Sequence, residues 1–168
     1  MTFIFQPMTR EHAQNIMRWR YQTPYDFYNF DNDDEVLMEL LSGEYYSVSQ
    51  DQDQDQDPSL IIGFFCIGNT ARVPGGYAAG IYVDDSFMDI GLGLAPSRTG
   101  IGMGKAFVQE GMDYLRHQFD QSKFRLVVAS FNQRAIQVYR DNGFVEHGLV
   151  ISSVQGQDVE FLCMIAEN

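Results

Sequence analysis

Asp89-Ile-Gly-Leu-Gly-Leu-Ala-Pro-Ser-Arg-Thr-Gly-Ile-Gly-Met-Gly104-Lys105 is the stretch that decides how this chain is read. The residues Phe87–Leu94 predict a strand, Pro96 closes it, and Arg98 onward leads into a helix with Phe107, Val108, Met112 and Leu115 facing inward. Between strand and helix, Gly100, Gly102 and Gly104 release three positions from Cβ constraints, so successive backbone N–H groups can point into one concavity. A helix N-terminus follows, where unpaired N–H groups and the helix dipole favour an anion. With Arg98 and Lys105 adjacent, a phosphate-bearing ligand is the expected occupant.

Three phosphate-binding patterns compete for this turn. A Walker loop requires Gly ahead of its Gly-Lys pair and Ser or Thr after the Lys, but the chain has Thr99 and Ala106 at those positions. The dinucleotide pattern GxGxxG fails as well, because its last glycine position falls on Lys105 when started at Gly100 and on Pro96 when started at Gly91. The third pattern, [QR]-x-x-G-x-[GA], fits Thr99-Gly-Ile-Gly-Met-Gly104 in spacing, with Thr99 in place of Gln or Arg. A second block lies downstream: Val127-Val-Ala-Ser-Phe-Asn-Gln-Arg-Ala-Ile-Gln-Val-Tyr-Arg-Asp-Asn-Gly-Phe144. It reads as a buried strand, Lys123–Ser130, followed by a helix that Asn132 caps and Gly143 stops.

Together the two blocks resemble the GNAT superfamily of acetyl-CoA-dependent N-acetyltransferases. In the second block Asn132, Ala135, Tyr139, Gly143 and Phe144 stand in register with N-x-x-A-x-x-x-Y-x-x-x-G-F. The rest of the chain agrees with that family's layout. Thr2–Pro7 reads as a strand; Thr9 caps a helix with Ala13, Ile16 and Met17 on one face, running to about Arg20. A second helix spans about Asp33–Leu41, with acids in its first turn and Gly43 as its stop. Glu44–Ser49 and Ser59–Ile67 predict a strand pair joined by a solvated acidic loop at 50–58, and Val73–Tyr82, with Pro74-Gly75-Gly76, predicts a connector. Phe144–Val154 and Asp158–Ala166 predict a closing antiparallel pair. The fold class that results is α/β (α+β). The resemblance implies a single GNAT-like domain over 1–168, with a mixed, mostly antiparallel sheet, splayed central parallel strands, and helices on both faces.

The resemblance also implies a chemistry. Acetyl-CoA is the expected cosubstrate, with no metal, and the acetyl group passes directly from thioester to a primary amine without a covalent enzyme intermediate. Thr99, Gly100, Ile101, Gly102, Met103, Gly104, Lys105 and Asn132 are the expected donor contacts. Pantetheine would lie between the strands Phe87–Leu94 and Arg125–Ser130, bonded by backbone groups around Leu92 and Leu94, with Gly91 and Gly93 permitting its close approach. The missing Gln or Arg at position 99 puts the phosphate on backbone groups. Tyr139 matches the family's general acid, and a tyrosine hydroxyl with an ordinary pKa of about 10 is protonated at neutral pH; the alternative is that Tyr139 only packs its helix against the sheet. The base is open. Asp89 is the nearest carboxylate in sequence, either catalytic or structural according to a one-residue difference in register. Val127-Val128 leaves no Glu where some relatives carry one, and His147 reads as an ordinary residue.

Charge distribution bears on the acceptor. The net charge of −12 disfavours nucleic acid. From Tyr21 to Ala71 there is no Lys or Arg against 11 of the 23 acids, whereas Arg98 to Asp141 holds 7 of the 11 basic residues. Tyr25 and Tyr28, with Tyr21, Phe27, Phe30, Asp26 and Asp31, either line an aromatic, acidic mouth for a cation or pack a broken helix. A small cationic metabolite and a protein N-terminus are both open as acceptors, and the family leaves a homodimer open. A non-catalytic acyl-CoA-binding module is the alternative from another class, and an ATP- or GTP-binding protein is disfavoured by the failed Walker pattern. Cys66 and Cys163, each in an apolar run, read as buried thiols of a reducing, cytoplasmic compartment; no run is long enough for a membrane span and no signal peptide is evident.

Overall fold

A computed structural model of the chain describes residues 2–51 and 60–167. The acidic loop expected at 50–58 therefore lies, beyond Asp51, outside the described residues. Among the described residues, seven strands occur in the order β1-β2-β3-β4-β5-β7-β6: β1 Thr2–Pro7, β2 Tyr45–Asp51, β3 Gly63–Ile67, β4 Met88–Leu94, β5 Lys123–Ala129, β6 Val145–Val154 and β7 Gln157–Glu167. Five helices accompany them: α1 Arg10–Met17, α2 Asp34–Leu40, α3 Pro74–Ala79, α4 Gly104–Phe119 and α5 Gln133–Asp141. The ladders β1–β2, β2–β3, β5–β7 and β6–β7 are antiparallel, and β4–β5 is parallel. This is the mixed α/β class that the sequence predicts. By contact density the chain divides into two compact units, Met1–Cys66 with Leu92–Met103, and Ile67–Gly91 with Gly104–Asn168.

In the first unit, β1 to β3 form an antiparallel meander on which α1 buries His12, Ala13, Ile16 and Met17. Thr9 caps α1 as predicted, its hydroxyl accepting from the His12 N–H at 3.1 Å. The helix ends at Met17, short of Arg20, because the Arg18 and Trp19 N–H groups turn back to Asn15 and Ile16 in tighter turns. Buried His12 places Nδ1 2.8 Å from the Ser47 hydroxyl, so a polar group unforeseen in the sequence is satisfied inside the core. Asp33 caps α2 by accepting from Val36 N–H at 2.9 Å. Asp33→Ala is expected to lower stability by about 1 kcal/mol, read as a drop of roughly 2–4 °C in melting temperature for a chain of this size.

In the second unit, β5 is buried through Phe124, Leu126, Val128 and Ala129, and α4 buries Phe107, Val108, Met112 and Leu115, as predicted from their spacing. Helix α4 starts at Gly104, and the stretch from Arg98 that leads into it begins with a separate 3₁₀ turn over Pro96–Arg98. The predicted connector at 73–82 is corrected, since Pro74–Ala79 is helical. Pro74 occupies the first turn, where its missing N–H costs nothing, and Gly80 ends the helix at φ 77°. Helix α3 rests on β6, where the Gly75 N–H donates to the Ser152 hydroxyl at 2.9 Å.

Candidate active site

The glycine turn of the first unit has the backbone its residues require. Gly100 and Gly102 adopt φ 73° and 81°, and a side chain at Gly102 would meet open space. Glycine there serves conformation, not crowding. Among the described residues the N–H groups of Gly102 and Met103 have no hydrogen-bond acceptor, which is the property an anion cradle needs. The Thr99 hydroxyl donates to the Pro96 carbonyl at 2.8 Å, and Arg98 Nη1 donates to Gln50 Oε1 at 3.2 Å. The side chains of Arg98 and Thr99 are thus bonded within the fold.

Two expectations about β4 change in the first unit. A Cβ on Gly93 would lie 2.6 Å from the Phe64 ring, so the space Gly93 leaves is filled by Phe64 and not reserved for a ligand. The Leu94 carbonyl already accepts from the Tyr21 hydroxyl at 2.5 Å, and burial pushes that phenol's pKa well above its ordinary value. Sequence reading missed this bond, which joins residues 73 positions apart. Part of the aromatic stretch packs within the fold, one of the two roles left open for it. Phe30 packs on Phe64 at 5.7 Å between ring centroids, beside Trp19 and Tyr45, whereas Tyr25 and Tyr28 are half-buried on a 3₁₀ turn that carries exposed Asp26. On α2, burial together with Glu35 and Glu44 raises the pKa of Glu39, a mark of the crowded acids in this half.

In the second unit, α5 is capped at its N-terminus by Asn132, whose side-chain oxygen accepts from the Ala135 N–H at 3.2 Å. That contact occupies the acceptor of a residue expected to touch the donor. Ile136 and Tyr139 are the buried residues of the helix, and the Tyr139 ring meets Phe144 edge-on at 5.9 Å. At the other end, Gly143 takes φ 90° and the Phe144 N–H returns to the Tyr139 carbonyl at 3.0 Å. Helix α5 rests on the first turn of α4: a Cβ on Gly104 would come 3.2 Å from Val138, and the Asn142 amide donates to the Lys105 carbonyl at 3.3 Å. Gly104 is therefore a packing glycine whose absent side chain brings α5 close to the helix N-terminus, and Lys105 itself is exposed.

Asp89 lies 3% exposed, with Arg125 Nε and Nη2 donating to its two oxygens at 2.6 and 3.0 Å and Arg72 Nε donating at 2.9 Å. Both oxygens are committed to guanidinium groups, the arrangement of a structural carboxylate. The sequence carried a signal that Asp89 would need a partner, since it is the one charge of an otherwise apolar strand and a buried charge requires pairing, but not which residue would supply it. His147 is exposed. Both cysteines are buried, and burial pushes the Cys163 thiol up to about 11, leaving it protonated and a poor nucleophile at neutral pH.

The family model described as "Acetyltransferase (GNAT) family" matches residues 8–144. No curated protein matches this chain in sequence. Among solved structures, the chain is similar to a spermidine N-acetyltransferase SpeG chimera from Vibrio cholerae and hSSAT, with a TM-score of 0.67 and 18% identity over 98% of this chain and 95% of that one. It is similar to AAC(6')-Ib in complex with ribostamycin and coenzyme A, with a TM-score of 0.74 and 17% identity over 100% and 94% of the two chains. It is also similar to an acetyltransferase (GNAT family) from Bacillus anthracis, with a TM-score of 0.66 and 8% identity over 98% and 94%. At these identities the likeness is one of fold. No helix among the described residues is long and apolar enough to cross a membrane.

Proposed function

The chain belongs to the acetyltransferase (GNAT) family, and from that membership we propose that it moves an acetyl group from acetyl-CoA to a primary amine by direct transfer, with Tyr139 as general acid. Acetyl-CoA, when bound, supplies an activated thioester whose departing sulfur benefits from a proton. The observation that carries the reading is the placement of α5 on the first turn of α4, which sets the helix of Tyr139 beside the helix N-terminus that the glycine turn leads into. The fit of the donor rests on the backbone: Gly102 and Met103 offer N–H groups to a diphosphate, and Lys105 adds exposed positive charge. Asp89 is not the base in this proposal, because its oxygens are already bonded to Arg125 and Arg72.

For the acceptor, the solved relatives named above include a spermidine N-acetyltransferase chimera and a complex with ribostamycin. A cationic amine suits the stretch from Tyr21 to Ala71, which lacks Lys and Arg, and Tyr25 and Tyr28 beside Asp26 are the proposed contacts. An acetyl-CoA-dependent screen of polyamines, aminoglycosides and peptides, read by thiol release, identifies the acceptor.

Thermal shift tests the donor. At ligand concentrations near 100-fold above Kd, acetyl-CoA and CoA are expected to stabilise the protein by about 2.7 kcal/mol, a rise of roughly 5–10 °C in melting temperature. Stabilisation by ATP with none by acetyl-CoA would overturn the assignment.

A further inference from the structure

The parallel ladder between β4 and β5 consists, among the described residues, of two pairs, Met88↔Phe124 and Asp89↔Arg125. Beyond it, Ile90 and Gly91 have no registered partner on β5, while β5 itself stays paired with β7 from Leu126↔Met164 to Ala129↔Phe161. The last rung is thus a cross-strand ion pair, in which the guanidinium fork of Arg125 closes on both oxygens of the carboxylate directly opposite. Arg125 also donates from Nη1 to the Asp84 carbonyl at 3.1 Å, tying down the loop that enters β4. Its guanidinium lies 5.2 Å from the Tyr82 ring centroid and 5.4 Å from that of Phe87. Arg72 completes the cluster, bonded to Asp89 Oδ2 and set 4.8 Å from the same Tyr82 ring. Two guanidinium groups, from Arg125 and Arg72, therefore hold the carboxylate in one place.

Stability alone does not account for such a cluster. A buried ion pair is often no more stabilising than well-packed apolar side chains of similar volume, because desolvation offsets the attraction. A bidentate fork does impose geometry, and geometry matters here because a one-residue slip would reverse the facing of every side chain along β4. We infer that Asp89 and Arg125 are positioning residues that set where β4 leaves β5, and so fix the β4 backbone at Ile90 and Gly91, unpartnered on its β5 side, along which acetyl-CoA would bind. This rests on the donor assignment proposed above; the pair touches neither substrate nor reacting atoms.

The test is acetyl-CoA affinity by isothermal titration, which needs no knowledge of the acceptor. The double variant Asp89→Leu/Arg125→Met replaces the pair by apolar groups and is expected to melt close to wild type. Its acetyl-CoA affinity is expected to fall at least about tenfold, the cost of misplacing a binding surface by a fraction of its correct geometry. Arg125→Lys, which keeps the charge but loses the fork, is expected to weaken binding in the same direction. A folded double variant that binds acetyl-CoA as wild type does would overturn the inference; if the double variant does not fold, wild-type affinity in Arg125→Lys would overturn it. Failure of the wild type to bind acetyl-CoA would remove the donor assignment and this inference with it, whereas normal binding by the folded variant removes the inference alone.

Discussion

Tyr139→Phe is expected to lower kcat at least about tenfold and to leave acetyl-CoA affinity unchanged. The substitution removes one hydroxyl and keeps the ring, so the edge-on contact with Phe144 and the burial of α5 persist. The helix is held independently of that hydroxyl, by the Asn132 cap, by the turn back from Phe144 to the Tyr139 carbonyl, and by the contact of Val138 with Gly104. Donor binding in the proposal depends on the glycine turn and not on α5's hydroxyl. A proton donor to the departing sulfur acts in the transition state, so its loss falls on kcat. Initial rates by thiol release and acetyl-CoA affinity by titration read the two effects separately. An unchanged kcat would mean that Tyr139 packs the helix and does no more. A wild type that binds acetyl-CoA but turns over no amine or peptide would favour the non-catalytic binding module.

Gly75→Ala is expected to destabilise the protein by about 3 kcal/mol, the upper end of the usual overpacking cost. A Cβ at this position would stand 2.0 Å from the Ile151 carbonyl oxygen and 2.9 Å from Ser152 Cα. Those atoms are backbone in β6, paired through Ile151↔Glu160 and Ser152↔Val159 to β7, so no side-chain rotation relieves the overlap. Helix α3 would have to lift, stretching the bond from the Gly75 N–H to the Ser152 hydroxyl. In a chain of this length the loss corresponds to a fall of roughly 6–12 °C in melting temperature, measured by calorimetry or circular dichroism. A melting temperature within a degree of wild type would show that α3 is not seated on β6 at this distance.

Local signals were legible. Thr9 and Asn132 cap their helices as read, each through a bond to an N–H three residues ahead, and such caps depend on nothing distant; Asp33, expected inside the first turn of its helix, is in fact its cap. The inward faces of α1 and α4 followed from spacing. The same local logic misread 73–82, because Pro74-Gly75-Gly76 carries the composition of a turn. Those glycines answer to packing instead: Gly75 to the backbone of β6, and Gly76 to the Tyr82 ring, 2.4 Å from where its Cβ would be. Gly93 and Gly104 also answer to packing, one making room for Phe64 and the other for Val138.

By itself the sequence determined the family, the glycine turn, and the capped helix that carries Tyr139, since each is written in spacings of a few residues; that Gly100 and Gly102, and not Gly104, take the left-handed conformation came from the structure. The tertiary structure alone decided that Asp89 is bound by Arg125, 36 positions away, that the Leu94 carbonyl is taken by Tyr21, 73 away, and that Gly75 touches β6, 77 away at Ser152. The physical reason is common to all three. Strand register sets which face a side chain occupies and which backbone group lies opposite it, and register is fixed by pairing between segments that no local pattern connects.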